Sequence, residues 1–278
     1  MKLRRIWAIL SFTFKESIRA KWLLFFAIVF FLLAVDVPVI INEAAKFLPA
    51  GAKPPPAITT FLSDVVTLTF PFIPLLSLSM GSTSIADEKE SGTLQYVLST
   101  PISKSEFFVG KAIGLLLATS VVVFAGLGIA SVTIYYDHFR YYPPFANALV
   151  IGASLNIAML GLGLVISSLS TRKVTALALG MLMWFLFAVL SNIEFLTFVV
   201  GIGLGPWAAL PVILLDPIET ATLLASMQSG GLGSSSAGLA LANTVQSHAF
   251  QVLVTTLGAW IAALFLLGFY IFRHSDLA

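Results

Sequence analysis

Apolar residues along this chain come in long blocks rather than in alternation, and short polar runs separate the blocks. Six blocks, at 22–41, 58–85, 107–134, 146–170, 174–200 and 249–272, predict membrane-crossing helices. About 20 apolar helical residues span a hydrocarbon core of roughly 30 Å. Lipid offers backbone N–H and C=O groups no partners, so the expected spans are helices that bond internally. The expected fold class is therefore an all-α integral membrane protein with six transmembrane helices. Residues 1–21 follow a different pattern. Lys2, Arg4, Arg5, Lys15, Arg19 and Lys21 interleave with Leu3, Ile6, Trp7, Leu10, Phe14 and Ile18 at three- and four-residue spacing. This predicts a basic amphipathic helix. A secretory signal fits less well, because Lys15 interrupts the apolar run and no small-residue cleavage site follows.

Two polar stretches carry distinct local signals. In DEKESGTLQYVLSTPISKSEFFVGK, residues 87–111, Leu94, Val97 and Leu98 share one helical face, with Asp87 or a preceding serine as the expected cap. Thr100-Pro101 should end that helix. Ser103 and Glu106 then form an S-x-x-E capping box at the start of the third apolar block. In 201–248, Asp216-Pro217-Ile218-Glu219 reads as a helix start, with Asp216 as cap, Pro217 in the first turn and Glu219 reaching back. That short helix is expected to run to about Met227, before a Ser/Gly stretch at 229–236. Pro71 and Pro74 are expected to kink the second block, as a hinge or as packing geometry.

Composition agrees with a membrane protein: 58% of residues are hydrophobic and 10% charged, and mean hydropathy is +0.99. Charge then adds sidedness. Twelve of the fifteen Lys and Arg flank the blocks on one side, and only Lys46, Lys53 and Arg140 lie on the other. The positive-inside rule puts both termini and residues 87–106 in the cytoplasm, with 201–248 outside.

Candidate chemistry is sparse. The chain has no Cys, which removes disulfides and thiolate chemistry. No G-x-x-x-x-G-K-[ST] loop is present to cradle ATP phosphates. His138, His248 and His274 lack metal-ligand spacing, so surface histidines and no metal site are expected. Met80, Met159, Met181 and Met183 suit a soft-metal relay in principle, but gap-filling between helices explains them more simply. Asp36, Asp64 and Glu194 fall near the outer ends of their blocks. Hydration by headgroups accounts for them, with a shared outer vestibule as the sharper alternative. A secondary transporter would place acids nearer the midplane. Gly110-x-x-x-Gly114, Gly161-Leu162-Gly163 and Ala176-x-x-x-Gly180 permit close helix contact without identifying a partner.

On composition, 87–106 reads first as a solvated connector, as charge runs usually do. Its residues also resemble a family pattern. Glu88, Glu90, Gly92-Thr93-Leu94, Leu98, Pro101, Ser103, Phe107, Gly110 and Lys111 are similar to the E-x-E-x-G-T-L … P-[IV]-S-[RK] … G-K run of ABC-2 type permeases. The resemblance extends over the N-terminal helix and the six blocks. It implies an elbow helix at 1–21 and a cytoplasmic coupling helix in 86–106 that sits on a separate ABC ATPase subunit. It further implies a second permease copy, and ATP and Mg held by the partner ATPase rather than by this chain. The implied coupling residues are Asp87, Glu88, Glu90, Gly92, Thr93, Leu94, Pro101 and Ser103; Asp216, Pro217 and Glu219 would shape an outer gate. Leu214-Leu215-Asp216-Pro217-Ile218-Glu219-Thr220 also resembles the permease subgroup that serves nitrous-oxide reductase maturation, with Asp216 standing where that subgroup tends to have Asn. Two functions are thus expected in competition. One is an exporter permease in the cell membrane. The other is an accessory subunit that passes motion to an extracytoplasmic partner protein without moving a solute. Membrane lipid is the expected surroundings in both, and nucleic acid a partner in neither.

Overall fold

The computed structural model describes residues 2–21, 23–32, 66, 69–135, 142–190, 209–228 and 248–275. Among the described residues every regular element is a helix. In chain order these are α1 (Lys2–Arg19), α2 (Leu23–Leu32), α3 (Phe72–Glu90), α4 (Thr93–Leu98), α5 (Lys104–Tyr135), α6 (Tyr142–Leu169), α7 (Lys173–Leu190), α8 (Ala209–Leu215), α9 (Pro217–Gln228) and α10 (Ala249–His274). Among the described residues three segments, Lys104–Ala125, Ala146–Leu169 and Ala249–His274, are long and apolar enough to cross a membrane. Leu23–Leu32 and Lys173–Val189 are shorter apolar helices. Asp36, Asp64, Glu194, His138 and the 229–236 stretch lie outside the described residues.

The hub is α3, packed chiefly between α6 and α7, while α5 carries α1 and α10 lies along α6. Its sequence is rich in Ser and Thr, and several of those hydroxyls bond back to their own helix, whereas the buried Ser82 Oγ has no hydrogen-bond partner among the described residues. Ser79 Oγ donates to Leu75 O, Thr83 Oγ1 to Ser79 O at 2.8 Å and Ser84 Oγ to Gly81 O at 2.9 Å. Hydroxyls that bond back to their own helix can be buried at little cost. Small residues then let the neighbours approach. A Cβ on Gly163 of α6 would lie 2.9 Å from Gly81 Cα, and one on Gly180 of α7 would lie 2.8 Å from Ser82 Oγ.

Pro71 and Pro74 fall at the start of α3, at the opposite end from 87–90. Pro71 occupies the cap position and Pro74 the first turn, where a missing N–H breaks no helical bond. Near the other end, Ser167 Oγ of α6 accepts from the N–H groups of Ile85 and Ala86, at 2.8 and 2.9 Å. Midway along the bundle, Asn156, fully buried, joins three helices. Its Nδ2 donates to Thr119 Oγ1 at 3.0 Å and Ser120 Oγ at 3.2 Å on α5. Its Oδ1 lies 2.6 Å from Ser77 Oγ on α3. No charge marks this layer in the sequence, and the hydropathy pattern passes over it.

The large core cluster contains Phe26 and Phe30 of α2, Phe70, Ile73 and Leu76 around the start of α3, Leu155 and Met159 of α6, and Leu253 of α10. Met159 is fully buried there and Met80 packs against the same core, as gap-filling methionines do. A second cluster occupies one end: Ile85, Leu94, Phe107, Phe108, Leu160, Leu164 and Phe272. Phe107 stacks on Phe272 at 5.7 Å, and Phe108 meets Phe269 edge-on at 5.9 Å.

Candidate functional site

At the end of the bundle holding this second cluster, α3 finishes at Glu90, and a turn through Ser91 and Gly92 starts α4. Gly92 is the residue before α4 and has φ +74°, the left-handed region that an L side chain enters only with strain. Asp87 or a preceding serine was the expected cap of this helix. Instead Asp87 is still inside α3, and α4 has no side-chain cap hydrogen bond. Among the described residues nothing lies within 4 Å of a Cβ built on Gly92. Backbone conformation, rather than space, requires glycine there.

Leu94 anchors α4: it is buried at 1% exposure against Ile85, Phe107 and Phe108, with Val97 and Leu98 packed beside it. Burying a leucine contributes about 1.5–3 kcal/mol. Thr93 Oγ1 lies 2.8 Å from Ser91 Oγ on the exposed side. Tyr96 points the other way and is 75% exposed. Sequence reasoning passed over this tyrosine; an aromatic residue opposite the apolar face of a short helix is the signal that marks it. After α4 the chain bends through an exposed Pro101. Ser103 N donates to Glu106 Oε2 at 2.9 Å, and Glu106 N to Ser103 Oγ at 3.2 Å, so the S-x-x-E sequence forms a reciprocal box.

The run 87–90 is divided among its neighbours. Asp87 Oδ2 pairs with Lys173 Nζ at 2.7 Å, both side chains about half exposed. Glu88 turns inward to Lys111 of α5, which is 4% exposed. Burial pushes the Glu88 carboxyl above its ordinary range; Lys111 opposes that shift, and nearby Glu16 and Asp87 add to it. Lys89 donates to Ser168 O and, at 3.4 Å, to Ser170 O beyond the end of α6, and burial lowers its pKa. Glu90 Oε2 accepts from Lys173 N at 2.7 Å, at the start of α7. Opposite charges thus sit on the two helix termini that favour them. The short α6–α7 connection, read from sequence only as a sign of sidedness, is bound to the end of α3.

The same end gathers the other basic segments. Gly110 and Gly114 of α5 receive α1, since a Cβ on either would lie within 3.0 Å of Ile9 or Thr13. Arg5 reaches Glu106 at 3.8 Å. Ile6, Leu10 and Phe14 are partly covered, whereas Leu3, Trp7 and Ile18 remain exposed, so α1 has apolar surface left over beyond its contact with α5. Lys104 Nζ donates to Ser275 O at 2.8 Å, bringing in the end of α10.

Away from this end, Asp216 lies between α8 and α9 and is fully buried. Its Oδ1 accepts from Ile218 N at 2.8 Å and Glu219 N at 3.4 Å, with Pro217 opening α9. Asp216 N donates to Ile213 O rather than to Glu219. The Glu219 side chain, 8% exposed, instead lies beside Asp216. Trp260 Nε1, well along α10, donates to Leu214 O at 3.0 Å. Among the described residues no group of three His, Asp or Glu converges on a metal-sized site. His248 and His274 stand at opposite ends of α10.

The sequence profile of the family described as ABC-2 family transporter protein matches residues 7–277. Among curated proteins, the chain is similar to the probable ABC transporter permease protein NosY of Stutzerimonas stutzeri, 27% identical and covering 98% of this chain and 99% of the relative. It is also similar to the protein of the same name from Pseudomonas aeruginosa, 26% identical and covering 97% and 98%. With its apolar helices, the chain is an integral membrane protein that belongs to the ABC-2 family of transporters, as a permease subunit.

Proposed function

We propose that this permease works as an ABC exporter subunit, with six spans, α1 as the elbow helix at the inner surface and α4 as the coupling helix. A separate ATPase subunit holds ATP and Mg, and a second copy of the chain completes the path. Residues 87–106 and both termini face the cytoplasm in the cell membrane, in keeping with the gathering of basic segments at one end of the bundle. The observation that carries the reading is α4. Leu94 fixes it to the bundle, Tyr96 projects from it, and residues 87–90 tie its base to α5, α6 and α7. A push on such an element moves helices rather than a loose loop.

Asp216, Pro217 and Glu219 form the turn of an outer gate. Trp260 is the twelfth residue of α10, so its bond to Leu214 O supports an α8–α9 hairpin that re-enters about 16 Å along that helix. A second reading keeps the coupling and replaces solute movement by motion passed to an extracytoplasmic partner. It is favoured by near full-length similarity to two permeases named NosY and by the resemblance at 214–220.

The test is complex formation between the full-length permease and its cognate ATPase subunit. Tyr96→Ala, which removes the exposed anchor, should weaken the complex about 30-fold, as loss of an aromatic hot spot does. Gly92→Leu strains the turn before α4 and should weaken it too, while Leu266→Ala on exposed α10 surface should not. Wild-type affinity for both Tyr96→Ala and Gly92→Leu removes the coupling assignment.

A further inference from the structure

A cavity of about 220 Å³ lies among α1, α3, α5 and α7, at the end of the bundle that carries α4. Its lining is graded. Glu16, Asp87 and Lys173 are exposed and form the mouth, and Met80, Leu115 and Leu177 give the inner part an apolar wall. Between them stand Glu88 and Lys111, the lysine more than nine-tenths buried. Two of the three carboxylates are matched, Glu88 by Lys111 and Asp87 by Lys173. Among the described residues Glu16 is left over, and Glu88 Oε2 is a buried oxygen without a hydrogen-bond partner. The site therefore has acceptor capacity and one negative charge in excess, next to lysines that suit an anion.

We propose that this cavity binds the headgroup of a phospholipid with a primary ammonium, of the phosphatidylethanolamine class. The ammonium supplies N–H donors to Glu88 Oε2 and Glu16. The phosphate takes the side of the mouth where Lys173 stands, and the glycerol and first methylenes meet Met80, Leu115 and Leu177. A buried carboxylate oxygen gains most from a charged N–H donor. A choline headgroup carries the same charge but has no N–H to donate. The depth also fits, because α1 is a basic helix with unspent apolar surface, as helices lying in the headgroup layer have. The inference rests on the reading that this end of the bundle lies at the membrane surface. It does not require the ATPase to dock on α4, so the two can fail separately.

The experiment titrates the purified full-length chain in detergent with dihexanoyl phosphatidylethanolamine, dihexanoyl phosphatidylcholine and free phosphoethanolamine, read by native mass spectrometry and thermal unfolding. The ethanolamine lipid should bind about tenfold more tightly than the choline lipid, the lower range for a charge-assisted hydrogen bond. Glu16→Gln and Leu177→Trp should bring that ratio close to one, and Arg4→Gln, outside the cavity, should leave it unchanged. These variants leave the Glu88–Lys111 pair intact, so the result does not depend on a Glu88 variant that fails to fold. Equal binding of the two lipids overturns the proposal, as does a ratio that survives both cavity variants. Free phosphoethanolamine matching the whole effect overturns the lipid assignment in favour of a soluble amine.

Discussion

Glu88 reads in sequence as one of four charges facing water, yet in the fold it meets Lys111, whose side chain is 4% exposed. Removing one partner of a buried pair leaves the other charge stranded, so Lys111→Met should be tolerated better than Glu88→Gln, which should cost about 3 kcal/mol. The pair also gives stability a pH dependence. The folded-state pKa of Glu88 is raised, chiefly by burial. Its contribution to stability is then fully present below the ordinary carboxylate range and is lost as pH rises through the raised value. Glu16 is one of the neighbours that raise it. Glu16→Gln should therefore flatten the fall in thermal stability as pH rises above the ordinary carboxylate range in lipid-free detergent. An unchanged slope removes Glu16 from the account. Gly92 shows a different gap between sequence and fold. Its presence was legible in the G-T-L run, and the resemblance implied a coupling role for it without a physical reason for glycine. The φ of +74° and the open space around it make conformation the requirement within this chain.

Elements were legible where the signal is local. The Ser103–Glu106 box and the Asp216 cap each join residues two or three apart, and both form as spacing predicts. Gly110-x-x-x-Gly114 was legible as a close-packing face because residues four apart share one side of a helix. What it packs against was not, and the answer is α1 rather than another span. A Cβ on Gly114 would lie 2.8 Å from Thr13 Cβ and 2.9 Å from Leu10 O, and a backbone oxygen cannot rotate aside. Gly114→Ala should then push α1 off α5 at about 1–3 kcal/mol, the usual range for overpacking. With no native Cys, a single Ile9→Cys on the α1–α5 contact reports the opening. Its thiol should label about tenfold faster in the Gly114→Ala background, the effect of about 1.4 kcal/mol on a local opening equilibrium. Equal labelling means α1 holds by other contacts. The Asn156 layer and the Ser167 bonds escaped sequence reading for a common reason: their partners lie 36 to 82 residues away.

Across the whole molecule, these contacts decide which helices move with α4. If 87–106 were only a connector between α3 and α5, a push on it would reach those two helices alone. Lys89 instead bonds to carbonyls in the last turn of α6 and just beyond it, and Glu90 and Asp87 both hold Lys173 at the start of α7. The Gly81–Gly163 approach keeps α3 and α6 in backbone contact just above. Under the proposed function, ATPase closure should therefore displace α7 as well as α3. Phe185 is an exposed site on α7 suited to a spin label. With Phe185→Cys labelled in both copies of the assembly, trapping ATP should shift the distance distribution between labels. Lys89→Met with Glu90→Ala removes the bonds to Ser168 O, Ser170 O and Lys173 N, leaves the half-exposed Asp87–Lys173 pair, worth little on its own, and keeps Leu94, Tyr96 and the Glu88–Lys111 pair in place. That double variant should still bind the ATPase, because the exposed surface of α4 is unaltered. Its label distance should lose the ATP-dependent shift, and ATP hydrolysis should run without it. A shift of wild-type size in the double variant would mean that α7 receives its motion by another route, through α3 packing against it or through the second copy.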